Sequence, residues 1–181
     1  RRAYKKAIKS SPTFLDRLIK RRAKYFTYAV FIAFKKDNGD KPWNEWNKEQ
    51  RDWAKDRKLD LTPYLDEICY QLFLQDVLVK QWNALKRKAH NLGLKIIGDL
   101  PFYVGYDSVD CYTNQQYFYL DHQHLPTLIS GVGPDYFSKT GQRWGNPIYN
   151  FKVLKEHNYE FLIQRIADCG DIYDYIRLDH F

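Results

Sequence analysis

The chain has 181 residues, which is enough for a domain with a sizeable core, and it carries a formal net charge of +7. No apolar run approaches the length of a membrane span, which argues against a membrane-spanning segment in this sequence. Three widely spaced cysteines without a Cys-x-x-Cys pair indicate neither a disulfide framework nor a zinc site, and they favour reduced thiols in a cytoplasmic protein.

The positive charge lies in the first third of the chain. Residues 1–60 contain 18 Lys/Arg and 8 Asp/Glu, a net of +10, whereas the remainder has a net charge of −3. Basic runs such as 20–24 occur on solvated helix faces and, less often, on surfaces that contact phosphates. We predict a solvated face and no nucleic-acid partner. A basic helical module that binds nucleic acid is the alternative from a different class of protein.

Residues 1–60 are predicted to form a basic helical subdomain. Ser11-Pro12 indicates a helix start, with Ser11 as the N-cap and Pro12 in the first helical position. A second helix is predicted over residues 25–34, because the turn signal Asp37-Asn38-Gly39-Asp40 follows it.

A long amphipathic helix is predicted next, at the start of a second domain over residues 61–181. Apolar residues from Ile68 to Leu92 step by three, four or six positions with Lys and Arg between them. Gly93 is placed to end this helix. A short apolar strand over residues 94–97 follows, and Asp99 comes directly after it.

The same order of elements recurs near the end of the chain. A helix is predicted over residues 154–167, with Gly170 as its breaker, and a strand over residues 172–178 ends in Asp179. Two helix–strand units in succession predict parallel strands of an α/β sheet. In α/β barrels the catalytic side chains lie at the C-terminal ends of strands, so Asp99 and Asp179 are predicted site residues.

The segment between the predicted strands is far longer than one crossover helix needs. Residues 100–150 are rich in Gly, Pro, Asp and aromatic side chains, and we predict a functional lid over a cleft. Aromatic residues make up 17% of the chain. Such rings stack on sugar faces in carbohydrate clefts, and they also fill ordinary cores.

Three stretches make the sequence recognisable. They are Ile-Gly-Asp-Leu-Pro-Phe-Tyr-Val at 97–104, Gly-Val-Gly-Pro-Asp-Tyr-Phe-Ser-Lys-Thr-Gly-Gln-Arg-Trp-Gly-Asn-Pro-Ile-Tyr at 131–149, and Ile-Arg-Leu-Asp-His-Phe at 176–181. They resemble the strand-three motif, the lid loop and the strand-four nucleophile motif of amylomaltases, the 4-α-glucanotransferases of glycoside hydrolase family 77. Gly133 stands where that family usually has a second proline, which predicts a more flexible lid.

The resemblance implies that the chain is an internal piece of a TIM (β/α)8 barrel. Residues 61–181 would supply strands three and four with the lid loop 100–150, and the helical subdomain would be inserted before the third strand. The chain begins with Arg1, contains no Met and ends directly after a predicted strand. We therefore expect that the remainder of its own chain is missing at both ends.

The resemblance also implies retaining transglycosylation of α-1,4-glucans. One carboxylate attacks the anomeric carbon while a carboxylic acid protonates the leaving oxygen. Asp179 matches the nucleophile, and Arg177, on the same strand face, is predicted to keep it ionised and aimed. Asp99 matches a residue that supports the pocket, although it could instead cap the following turn.

Further residues are predicted, from the same resemblance, to contact the sugar chain of a maltooligosaccharide or α-1,4-glucan. They are His180, Asp135, Tyr136, Phe137, Trp144 and Asn146. Tyr136 and Trp144 could alternatively pack in a core. No cofactor, metal or membrane partner is expected.

The acid/base Glu of the family belongs to a later strand than those in this chain. We therefore expect residues 1–181 to lack it and to be inactive alone. A hydrolase of the α-amylase type shares the Arg-x-Asp of strand four and is the alternative within enzymes. The loop 134–147 favours the transferase.

Overall fold

A computed structural model describes residues 1–11 and 13–179. This part of the chain forms eight α-helices and four β-strands in the order α1 (Arg2–Ser10), α2 (Phe14–Arg21), α3 (Phe26–Asp37), α4 (Lys48–Asp56), α5 (Leu65–Asn91), β1 (Ile97–Pro101), α6 (Val109–Thr113), β2 (Ile129–Val132), β3 (Gln142–Pro147), α7 (Phe151–Glu156), α8 (Glu160–Ile172) and β4 (Tyr175–Asp179). The chain separates into two compact units, the first over Arg1–Leu92 and the second from Gly93 onward. This division differs from the boundary predicted at residue 60, because α5 packs against α2 and α3.

The first unit is helical and has an aromatic core. The ring of Phe34 packs edge-on against Trp53 and Tyr64, with centroid distances of 5.8 and 5.0 Å. The predicted helix over 25–34 is α3 and the predicted long helix is α5, so both are confirmed. Gly93 follows α5 with a φ of +74°, a conformation that suits a helix stop.

The predicted start of α2 is different in the structure. The helix begins at Phe14, with Thr13 in the cap position and no side-chain capping hydrogen bond. Ser11 is therefore not the N-cap, and the part of the prediction that concerns Pro12 lies outside the described residues. The predicted helix is nevertheless present, and Leu18 on it is fully buried.

A buried carboxylate on α5 binds three cations. Asp76, whose side chain is 4% exposed, lies 2.8 Å from Arg21 Nε, 2.9 Å from Arg22 Nη2 and 2.7 Å from Lys80 Nζ. Burial opposes ionisation of this carboxyl, but the hydrogen bonds from Lys80 and Arg22 and the charge of Arg21 outweigh it, so the pKa of Asp76 is lowered. The cluster joins the end of α2 to the middle of α5.

Replacing Asp76 with Asn is expected to destabilise the protein by about 2–3 kcal/mol at pH 7, less than for a fully buried pair because two of the cations are half-exposed. A pKa lowered by folding contributes stability above the unfolded value near 4, and this is lost as the pH falls through the folded value. Urea unfolding should therefore show a larger difference from wild type at pH 7 than near pH 3. The exposed Asp16→Asn variant is the matched control. Equal differences at the two pH values would show that the ion cluster does not stabilise the fold.

The second unit is built around the parallel pair β1 and β4. Asp99 is paired with Arg177, and Pro101 with Asp179. The predicted parallel pairing is thus confirmed, although both strands begin three residues later than predicted. The Asp174 backbone N–H donates to the Ile96 carbonyl, and its carboxylate accepts from Ile96 N at 2.9 Å, so these two residues bind each other ahead of the ladder.

The helix predicted over 154–167 is two helices. Asn158 and Tyr159, between α7 and α8, have φ values of +52° and +56°, which break the helical path. Gly170 was predicted to end the helix, and this was wrong, since α8 continues to Ile172. A single glycine is tolerated in a helix that packs on a sheet.

The long segment 100–150 is more regular than the lid predicted from its composition. It contains α6 and an antiparallel hairpin of β2 and β3, in which Gly131 is paired with Arg143. Tyr149, which is fully buried, follows this hairpin and packs against the rings of Phe102 and Tyr103. The hairpin is therefore anchored beside the C-terminal end of β1.

Candidate active site

One guanidinium binds a carboxylate in the middle of β1 and a second carboxylate at the end of β4. Arg177 donates from Nε to Asp99 Oδ1 at 2.8 Å and from Nη2 to Asp99 Oδ2 at 2.6 Å. The same Nη2 lies 3.0 Å from Asp179 Oδ1. Side chains two residues apart on a strand share a face, so β4 presents Arg177 and Asp179 together while the ladder places Asp99 opposite.

These charge-assisted bonds fix the positions of all three groups. The hydrogen bonds to Asp99, and then the charges of Asp179 and Asp99, raise the pKa of Arg177, which remains a cation. The side chain of Asp179 is 29% exposed and that of Asp99 is 53% exposed. The three predicted catalytic residues are thus brought together at an open site, with Asp179 the more enclosed of the two acids.

The backbone at the end of β1 is bound from both sides. The Phe102 N–H donates to the Asp179 carbonyl at 2.9 Å, and the Tyr149 hydroxyl donates to the Phe102 carbonyl at 2.6 Å. Burial raises the pKa of Tyr149 to about 12, against the charge of Arg165, so this hydroxyl keeps its proton at neutral pH. Arg165 of α8 donates to the Pro101 and Phe102 carbonyls. The sequence did not mark Arg165 as a site residue, because it shows only a basic residue within a helix.

Trp144 and Asn146 line a cleft of about 250 Å³ together with Pro101, Phe102 and Tyr103. Asn146 Nδ2 donates to the Val104 carbonyl at 2.9 Å, so this amide joins β3 to the segment that follows β1. The half-buried Trp144 lies on the wall of the cleft. The cleft adjoins the strand end that carries the acids.

The remaining predicted sugar contacts lie at the tip of the hairpin. The carboxylate of Asp135 accepts hydrogen bonds from the backbone N–H groups of Phe137 and Ser138 at 2.9 and 2.8 Å, which shapes a tight turn. Tyr136 and Phe137 are 97% and 87% exposed, so Tyr136 does not pack in a core. Two exposed rings on one turn are typical of a binding surface. His180, also predicted to bind sugar, lies outside the described residues.

Within residues 1–11 and 13–179 no group of three or more His, Cys, Asp or Glu is arranged to hold a metal ion. In the same part of the chain, no helix is both long and apolar enough to cross a membrane.

The fold and the site together define an α/β protein with an open acidic site beside an aromatic cleft. The model of glycoside hydrolase family 77, described as 4-alpha-glucanotransferase, matches residues 2–181. The chain belongs to this 4-alpha-glucanotransferase family, as its motifs predicted.

Individual relatives agree with the family match. The chain is 39% identical over 158 residues to a 4-alpha-glucanotransferase of Thermus thermophilus, covering 85% of this chain and 31% of that one. It is 41% identical over 160 residues to the 4-alpha-glucanotransferase of Clostridium butyricum, covering 85% and 32%. The chain thus spans about a third of the length of these curated relatives.

A solved structure matches the whole chain. It is the amylomaltase from Streptococcus agalactiae in complex with acarbose, with a TM-score of 0.83 and 35% identity, and the match covers 100% of this chain and 38% of that one. The α/β class predicted from the sequence is confirmed by this match and by the parallel pairing of β1 with β4.

Proposed function

We propose that this chain is part of a 4-α-glucanotransferase that transfers α-1,4-glucan segments between maltooligosaccharides by a retaining double displacement. The observation that carries the proposal is the Arg177 guanidinium bound to both Asp99 and Asp179 on adjacent parallel strands. The family match and the likeness to an amylomaltase support it.

In the proposed mechanism Asp179 is the nucleophile. Its carboxylate attacks the anomeric carbon, the glycosidic C–O bond breaks, and a carboxylic acid outside this chain protonates the leaving 4-oxygen. The 4-hydroxyl of an acceptor then gives its proton to the same outside group and displaces Asp179. Two inversions retain the α-configuration. Arg177 positions the nucleophile throughout, and Asp99 positions Arg177.

The sugar-binding surfaces are proposed from their place beside these acids. Trp144 and Asn146 would line the cleft next to the cleaved bond, while Asp135, Tyr136 and Phe137 would cover it from the hairpin. His180 is proposed, on its motif alone, to bind sugar hydroxyls. A covering hairpin would exclude water, so that the glycosyl ester reacts with a sugar hydroxyl.

The rest of the protein is proposed to complete a (β/α)8 barrel and to supply the acid/base Glu. Residues 1–60 would be a helical subdomain inserted before the third strand, and residues 61–181 would provide strands three and four. The reaction would take place in the cytoplasm, in maltose, starch or glycogen metabolism. The relatives' greater length supports a larger protein.

Incubating the full-length protein with maltotriose tests the proposed activity. A ladder of longer glucans is the expected result. Glucose and maltose alone would instead indicate the α-amylase type of hydrolase. Residues 1–181 alone should give no products, and a ladder formed by this chain would show that the acid/base lies within it.

Removing both rings at the hairpin tip should shift the reaction from transfer toward hydrolysis. The Tyr136→Ala/Phe137→Ala variant is expected to raise the ratio of free glucose to longer glucans by roughly tenfold, since water reaches the glycosyl ester. The double variant should have the same melting temperature as wild type, because both rings are exposed. Tyr136→Phe keeps both rings and is the matched control. An unchanged product ratio in the double variant would exclude the covering role.

A further inference from the structure

The guanidinium of Arg165 on α8 binds consecutive backbone carbonyls at the end of β1. Nη2 donates to the Pro101 carbonyl at 2.8 Å, and Nη1 donates to the Phe102 carbonyl at 2.8 Å. Nη1 also lies 3.1 Å from the Tyr149 hydroxyl, which donates to the same Phe102 carbonyl. A planar fork with several donors is needed for this set of contacts.

This contact reaches the proposed nucleophile through a single peptide unit. The Pro101 carbonyl and the Phe102 N–H belong to the same planar peptide group. Arg165 donates to the oxygen of this peptide group, and the N–H of the same group donates to the Asp179 carbonyl at 2.9 Å. A cation on the oxygen polarises the amide and strengthens the bond that its N–H makes.

The surroundings hold Arg165 in this position. Its guanidinium carbon lies 5.8 Å from the centre of the Phe161 ring, one turn earlier on α8. Phe161 is 8% exposed and Tyr149 is fully buried, so two packed rings flank the cation. The side chain is thereby kept from sampling other rotamers.

We propose that Arg165 is a positioning residue for Asp179, acting through the 101–102 peptide to fix the backbone from which the carboxylate projects. The inference rests on the proposed role of Asp179 as the nucleophile. Arg177 sets the carboxylate directly, and Arg165 sets the main chain that carries it. Neither contact replaces the other.

The test uses Arg165→Lys in the full-length protein, with maltotriose as substrate. Lysine keeps the charge but cannot bind two carbonyls and a hydroxyl in one plane. The expected result is a kcat lowered roughly 10- to 100-fold, as for a misplaced reacting group, with KM changed by less than about twofold. Arg87→Lys, an exposed exchange on α5, is the matched control and should match wild type.

A second variant covers the case in which Arg165→Lys does not fold. Tyr149→Phe keeps the ring and removes only the hydroxyl that shares the Phe102 carbonyl, and a smaller fall in kcat at constant KM is expected. If Arg165→Lys folds, an unchanged kcat overturns the inference. If it does not fold, an unchanged kcat in Tyr149→Phe overturns it. An inactive wild type would instead overturn the proposed function, so the two failures are distinguishable.

Discussion

Replacing Asp179 with Asn is expected to lower the rate of glucan transfer by about 10⁴- to 10⁶-fold, as the loss of a nucleophile does elsewhere. An amide oxygen cannot form the glycosyl ester that the double displacement requires. Arg177 keeps its two bonds to Asp99 in this variant, so the strand pair should remain folded. Discontinuous assay of products from maltotriose measures the effect.

The control for this prediction is a matched exchange away from the site. Asp16→Asn makes the same chemical change on the exposed face of α2 and should leave the rate as in wild type. Melting curves of the Asp179→Asn variant should overlap with wild type within a few degrees. Residual transfer above a tenth of the wild-type rate would exclude Asp179 as the nucleophile.

Replacing Gly98 with Ala is expected to destabilise the protein by about 3 kcal/mol, at the upper end for an overpacked site. A Cβ at this position would lie 1.9 Å from Cδ2 and 2.2 Å from Cγ of Tyr173. Gly98 is a buried residue of β1, and the ring belongs to the segment that enters β4. Either the ring or the strand pair must move, which would also displace Asp99. Urea unfolding measures the loss.

Gly170→Ala is the matched control, and we expect it to stabilise the protein where Gly98→Ala destabilises it. Gly170 lies inside α8, and a Cβ there would meet no atom within 4 Å. Alanine is the better helix former, so a gain of about 0.5–1 kcal/mol is expected. A Gly98→Ala variant as stable as wild type would show that Tyr173 does not pack against β1 as described.

The helices and the strand pairing were predictable because local periodicity encodes them. The turn signal at 37–40 indicated α3, the spacing of apolar residues located α5, and two helix–strand units predicted that β1 and β4 are parallel. The side-chain alternation on β4 placed Arg177 and Asp179 on one face. The motifs then identified the family, which the comparison confirmed.

The details that failed depend on contacts between distant residues or on a local backbone conformation that apolar spacing does not encode. Ile96 and Asp174 bind each other before the first pair of the ladder, so both strands begin later than predicted. No local pattern encodes a pair this far apart in sequence. The positive φ values at Asn158 and Tyr159 break a helix whose periodicity looked continuous. The role of Arg165 was not predicted because its carbonyl partners, at the end of β1 and directly after it, are 63 and 64 residues away in sequence.

The bridging role of Arg177 was only partly predictable. The sequence placed it beside Asp179, but strand register alone sets it opposite Asp99, to which it makes two bonds. Asp99 therefore binds the cation that contacts Asp179. From the sequence, Asp99 was predicted either to support the pocket or to cap a turn. Only the strand register shows that its side chain faces Arg177.

In the proposed double displacement the carboxylate of Asp179 forms the covalent bond to the sugar. The most direct measurement is to trap the glycosyl ester in the full-length protein with a slow fluorinated glucosyl donor and to map the adduct by mass spectrometry of peptides. We expect one added glucosyl unit on the peptide that contains Asp179, and none in the Asp179→Asn variant. An adduct on Asp99, or on a residue outside this chain, would contradict it.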